Sequence, residues 1–284
     1  MLAQLLNGLQ YSMLLFMLAV GLSVVFGLMN FVNLAHGTIY MIAAFCGLSA
    51  ARSTGSFLFA LVVGPAVAAA LGAIFYATLL KRLQGQSPMK QVLVTFGLIF
   101  IGLDIVRMLW GDTPQSLPVP PVLEGSLEIL GHVYPVYRMF IIVVGIAVFV
   151  SLWLLIESTR LGAVVRAGVD DKDMTAALGI NVDLAFFVVF CLGCALAGLA
   201  GVVAAPLLQI YPGMDMAIII PTLIVVVIGG PGRLFGAFGG SLLVGMSETL
   251  GAVFYPAFAS FVIYLILALV LLVRPRGLFS VRGH

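Results

Sequence analysis

The sequence predicts an all-α fold: a polytopic transmembrane helix bundle of eight or nine spans, some of them short or broken. Three observations carry this. Of 284 residues, 63% are hydrophobic and 8% are charged, whereas a soluble domain has about 45–50% apolar and about 25% charged residues. The charges are confined, with none before Arg52 and none in 53–80, 139–156, 184–214, 216–232, 234–247 or 249–273. Six such gaps and the uncharged first 51 residues describe a polytopic membrane protein, since ~20 apolar residues cross a ~30 Å hydrocarbon layer as a helix. Thirteen Lys+Arg against eleven Asp+Glu leave a net charge of +2, too little to make a nucleic-acid-binding surface.

On that ruler the spans fall near 5–28, 35–51, 57–80, 91–110, 139–157, 184–204, 216–230, 234–252 and 257–273. The first lacks the basic n-region and small-residue cleavage site of a signal peptide, so it reads as a retained span. The second is short and opens beside Gly37. The third and fourth are separated by Lys81, Arg82 and Lys90. The fifth is an uninterrupted apolar run. In the sixth, Cys191 and Cys194 form a C-x-x-C with no second pair and no nearby His, which reads as small apolar residues in a helix rather than a zinc site. The seventh is short and holds Pro221. Short or Pro-interrupted spans suggest broken helices, allowed only where protein or a watery cavity covers the freed backbone. The eighth carries Glu248, and the ninth ends before Arg274.

Lys and Arg orient the bundle. Alternating loops put Lys81, Arg82, Lys90, Arg160, Arg166, Lys172, Arg233, Arg274, Arg276 and Arg282 on one side, with only Arg52, Arg107 and Arg138 on the other. The first side is therefore expected to be cytoplasmic, with the C-terminus on it. An external loop, 111–138, holds five prolines with Glu124 and Glu128 and suggests a partly ordered lid or docking surface.

No catalytic constellation stands out. The stretch from Gly229 to Arg233 lacks the Lys-Ser/Thr ending of a phosphate loop. His36, His132 and His284 are scattered. No enzyme activity, metal site or cofactor is expected. Four other features could carry function. In the cytoplasmic stretch 158–183, Arg160, Arg166 and Lys172 alternate with Asp170, Asp171 and Asp173. Residues 175–178 read as a short helix with a small-residue face, ended by Gly179. This is either an ordinary solvated loop or an element that docks into a cytosolic subunit. Between the first two spans, Asn30, Asn33, His36 and Gly37 bring polar groups into a charge-free region. They either cap the two helices or line a passage for a polar, uncharged or zwitterionic solute. Within spans, Asp104 and Arg107 stand three apart and can pair, while Glu248 has no partner nearby in sequence and serves either a structural hydrogen bond or the solute. Finally, Gly193, Ala197 and Gly201 recur every four residues, as do Gly236 and Gly240, and such stripes let helices approach closely in lipid.

Taken together, several segments resemble a known family. Residues 21–29 with Val32–Gly37, the loop from Thr159 through Arg166-Ala167 to Ala177-Leu178-Gly179, the glycine-rich run from Gly229 to Gly240, and the ending Arg274-Pro275-Arg276-Gly277 are similar to the LivH-type permeases of branched-chain amino acid ABC transporters. The likeness spans nearly the whole chain. One departure is that Asp173-Met174-Thr175 stands where the family commonly carries Glu-Ala-Ala in its coupling loop. The resemblance implies one permease domain over 1–284, and partners in the form of a second permease subunit, like or unlike, cytosolic ATPase subunits and an external solute-binding protein. It implies import of branched-chain or related amino acids across a bacterial inner membrane, with ATP hydrolysed in a partner chain. A stand-alone carrier or channel for urea or an amide is the alternative.

Overall fold

The computed structural model describes residues 1–278 apart from positions 30, 32, 84, 130, 255, 275 and 276. Its helices are α1 (Leu2–Met29), α2 (His36–Thr54), α3 (Phe57–Phe75), α4 (Pro88–Trp110), α5 (Val136–Ser158), α6 (Arg160–Asp170), α7 (Lys172–Ala177), α8 (Val182–Ala204), α9 (Met214–Gly229), α10 (Leu234–Phe254) and α11 (Ala259–Val273). Helix α3 runs on through a π-helical stretch, Tyr76–Leu80, to Lys81–Leu83. Six helices are long and apolar enough to cross a membrane, namely α1, α3 with its extension, α4, α5, α8 and α10. Helices α9 and α11 are apolar but have only 16 and 15 residues. Helix α2 has 19 but is more polar, opening on His36 and closing on Arg52-Ser53-Thr54. The chain is thus an all-α, multi-pass membrane protein.

Helix α1 is the hub. It packs against α10, α8, α5 and α9, and Met13, Leu15, Phe16, Met17, Leu18 and Ala19 are fully buried. A helix apolar all round in this way belongs inside a bundle. Helices α2, α3 and α8 form a second tight group. Small residues set these crossings. A Cβ on Gly193 would stand 3.1 Å from the Gly21 carbonyl oxygen, and one on Gly201 would stand 2.6 Å from that of Tyr40. Ala197 between them is fully buried. Gly236 lies on Gly229 with no room for a side chain, and Gly240 lies on the Val225 carbonyl, closing the α9–α10 hairpin.

The described basic residues gather at two ends. Tyr76 at the far end of α3 donates to the Asp183 carbonyl at 3.1 Å, and Gly168 of α6 packs on Val182. This gathers Lys81, Arg82, Arg160 and Arg166 at one end. Leu278 N–H donates to the Ile228 carbonyl at 2.8 Å, which holds the stretch that follows Arg274 against the end of α9, shortly before Arg233. At the opposite end Arg52 donates to Gln115 at 2.6 Å and Arg138 donates to Asn7.

Two stretches hold more structure than expected. Within 111–138, β1 (Ser126–Ile129) and β2 (His132–Pro135) form an antiparallel hairpin. Tyr134 of β2 is buried, which pushes its phenol up, with Arg138 opposing the shift. The stretch 158–183 is two successive helices rather than a loop. One pairing is corrected: Arg107 turns away from Asp104 and bonds Asp112 at 3.1 Å, because it sits one turn from the helix end, where a water-facing carboxylate is in reach.

Candidate functional site

The described positions between α1 and α2 are non-helical, with Phe31 and Asn33 at 0% exposure, Ala35 at 5% and Leu34 half-buried. Non-helical backbone at membrane depth needs a covering of protein or water, and here protein supplies it. The His36 ring lies against the Leu18 backbone. Leu18 precedes the end of α1 by eleven residues, about 16 Å at 1.5 Å per residue. The chain therefore turns back into the bundle before α2 begins. That places the start of α2 at mid-depth, where it meets the start of α9. A Cβ on Gly37 would stand 2.9 Å from the Asp215 carbonyl oxygen, and the Thr38 hydroxyl donates to Asp215 Oδ2 at 2.9 Å.

Two helix N-termini, each with orphan N–H groups and a positive dipole end, thus converge on a buried carboxylate. Asp215 is 2% exposed and His36 is 0% exposed. Among the described residues, both Asn33 side-chain atoms and Asp215 Oδ1 are buried without a hydrogen-bond partner, and the His36 ring nitrogens have no close partner beyond the Leu18 backbone. A buried polar group left unpaired costs about 1–3 kcal/mol.

Sequence reasoning named Asn33, His36 and Gly37 for this region, and the structure brings these three together; Asn30 lies outside the described residues. It missed Thr38 and Asp215. The signal for Asp215 was its position as the one charge between two long uncharged runs, which also fits a loop boundary. Glu248 does not join them. It is half-buried on α10 beside the Tyr11 hydroxyl, with Oε2 unpartnered. Tyr11 is seven residues from Leu18, about 10 Å along α1. Tyr40, one turn into α2, is buried as well.

The basic end is built on glycine. Gly232 has φ +75°, a conformation side chains resist, and its Cα presses on Gly27 while its N–H donates to the Ser23 carbonyl at 2.9 Å. Nearby, Thr159 caps α6 by accepting from Gly162 N–H at 3.3 Å. Arg166 donates to the Ile156 carbonyl and lies 3.8 Å from Glu157. These bonds fold α6 back across the end of α5. A cleft of about 340 Å³ lies between α1, α5 and α8, with Leu161, Gly162, Val165 and Arg166 of α6 as one wall and Arg233 at its edge.

Helix α7 projects beyond this. Asp171 caps it by accepting from Met174 N–H at 2.9 Å, and Gly179 leaves it at φ +80°. Thr175 faces inward, whereas Met174 and Leu178 are 62% and 74% exposed. Asp173 and Ala177 are exposed on the same turn, and Arg160 is exposed at the start of α6. Asp170 ends α6, its side chain lying outside the described set. Sequence reasoning pointed to the α7 region, its terminal glycine and an apolar face in need of a packing surface; the structure adds that Met174 and Leu178 are exposed on it.

Comparison with known proteins agrees with this architecture. The family described as branched-chain amino acid transport system permease component matches residues 4–271. The high-affinity branched-chain amino acid transport system permease protein BraD of Pseudomonas aeruginosa is 31% identical, over 98% of this chain and 95% of its own. LivH of Escherichia coli K12, of the same description, is 25% identical over 98% and 95%. A probable LivH of Methanocaldococcus jannaschii is 27% identical over 95% and 90%. A chain of PsaBC from Streptococcus pneumoniae, solved in complex with Fab, shares the fold at TM-score 0.50 and 14% identity, covering 94% of this chain and 89% of that one. With a match running almost end to end and a relative above 30% identity, the chain belongs to the permease family of branched-chain amino acid transport systems.

Proposed function

We propose that the chain is the membrane-spanning subunit of an ATP-binding cassette importer that carries branched-chain or related amino acids across a bacterial inner membrane. In this reading all nine apolar helices cross, α2 and α9 as broken spans, and the basic end with the C-terminus faces the cytoplasm. A second permease subunit, like or unlike, completes the pore. Cytosolic ATPase subunits grip the stretch 158–183, and an external solute-binding protein delivers substrate at the Arg52 end.

The observation that carries the reading is α7. A capped helical turn outside the bundle, presenting Met174 and Leu178 to water at the basic end, has the form of an element made to be covered. Arg160, Arg166, Asp170, Asp171, Asp173, Ala177 and Gly179 frame it. Because α6 walls the cleft against α1, force on α7 reaches the hub helix. ATP-driven closure of the ATPase pair then shifts the bundle between inward- and outward-open states through differential binding, with no chemistry in this chain. Asn30, Asn33, His36 and Gly37, joined by Asp215 and, further out, Glu248, form the polar stretch of the pathway. Gly193, Ala197, Gly201, Gly236 and Gly240 keep the surrounding helices close enough to move together.

Replacing residues 170–180 with a Gly/Ser linker tests this. Co-purification with the ATPase and ATP-stimulated uptake should both be lost while the membrane bundle stays folded. Retention of both overturns the assignment.

A further inference from the structure

The junction of α5 and α6 marks one edge of the hydrocarbon layer. No residue from 139 to 156 is charged, and Arg160 opens α6. Trp153, five residues before the end of α5, is 42% exposed, and Trp on membrane helices collects at headgroup level. Helix α6 is two-faced at that level. Leu161 and Val165, one turn apart, line the cleft described above, whereas Arg160, Ala163 and Ala167 are exposed. A helix with that division of residues, at that height, suits the plane of the membrane surface.

Behind α6 the cleft runs inward between α1, α5 and α8, lined by Val20, Val24, Leu152, Leu155, Leu192 and Leu196. Val20 stands nine residues before the end of α1, about 13 Å along the helix. That is close to half of a ~30 Å hydrocarbon layer. The volume of about 340 Å³ is that of a small-molecule site, about 300–1,000 Å³. On either flank the helices carry apolar surface, with Val150 and Leu154 of α5 and Leu184 and Val188 of α8 exposed. The charged residues that line the cleft are Arg166 and Arg233. Glu157, 3.8 Å from Arg166, offsets one of the two charges, so the mouth stays positive.

An apolar slot about one leaflet deep, with two arginines at headgroup level, is complementary to an amphiphile with an anionic head and a hydrocarbon tail. We infer that this cleft binds an anionic phospholipid of the surrounding bilayer, one acyl chain lying along Val24, Leu155 and Leu192 and the phosphate meeting Arg166 and Arg233. Basic pockets between membrane helices take up anionic headgroups in this way, and each methylene buried in the slot adds to the hold. The site does not depend on what the protein transports. Seated there, the chain also packs between α6 and α1.

The test titrates the assembled transporter, purified in detergent and stripped of loosely held lipid, with dioleoyl phosphatidylglycerol or dioleoyl phosphatidylcholine, and counts retained lipid by native mass spectrometry. One phosphatidylglycerol per permease chain should be held about tenfold more tightly than phosphatidylcholine, which has the same tails but no net charge. Equal retention of the two in the parent protein overturns the anionic assignment, and this comparison needs no variant. Arg233→Gln should weaken phosphatidylglycerol about fivefold, the share of one arginine near an anionic group, and leave phosphatidylcholine unchanged. Val165→Trp, which puts an indole into the slot, should remove the retained copy while size-exclusion elution stays that of the parent. Undiminished retention in a folded Val165→Trp overturns the cleft as the site. Crosslinking of Val165→Cys to an ATPase subunit, with no lipid retained in the parent, also overturns it, since protein then covers the slot.

Discussion

The Thr38–Asp215 bond ties two helix starts at mid-depth, and its loss has a definite cost. In Thr38→Val, Asp215 Oδ2 loses the donor it has among the described residues. We expect a loss of about 1–3 kcal/mol, read as a lower Tm of the purified complex; an unchanged Tm means that water already satisfies the carboxylate. At Gly232, positive φ and the contact with Gly27 both exclude a side chain. Gly232→Val should therefore prevent recovery of folded protein, whereas Gly97→Val, facing open space, should leave yield unchanged. Size-exclusion yield in detergent distinguishes the two. Single residues were legible in the sequence only where composition isolates them. His36 and Asn33 stood out as polar groups in a charge-free run. Asp215 did not, since a charge between two apolar runs is also what a loop edge looks like, and only the meeting of α2 with α9 shows it buried. The Asp104–Arg107 spacing suggested a pair, but spacing does not register that Asp112 lies within reach of the same guanidinium.

Helices α6 and α7 are where element-scale prediction is sharpest. The Asp171 side chain closes the first turn of α7, and Asp171→Ala should cost about 0.5–2 kcal/mol of local helix stability. The measurable consequence is faster hydrogen exchange over 172–177, with exchange in α1 unaffected. Replacing Met174 and Leu178 together by Asp should abolish ATPase co-purification without changing the Tm of the isolated permease, because both side chains already face water. The apolar helices α1, α3, α4, α5, α8 and α10 were legible from run length alone, since composition decides a span before packing does. The mid-depth start of α2 was not legible, because depth depends on which part of α1 His36 meets. Nor was α6, whose alternation of small, apolar and basic residues becomes a wall only once Arg166 folds it onto Ile156.

Across the whole molecule the basic residues are partitioned: Lys81, Arg82, Arg160, Arg166, Arg233 and Arg274 gather at one end, while Arg52, Arg107 and Arg138 lie toward the other. That asymmetry is readable from the sequence because loops alternate sides. The identity of the second subunit is not, because an interface belongs to two chains at once. In the proposed importer, a gate with no engine of its own takes its energy from the ATPase that covers α7. The most direct measurement is uptake of labelled leucine into vesicles holding the complete transporter, with the binding protein outside and ATP inside. The account predicts accumulation that needs ATP and both ATPase subunits and that is indifferent to proton or sodium gradients. Uptake by this chain without ATPases, following an ion gradient, contradicts it.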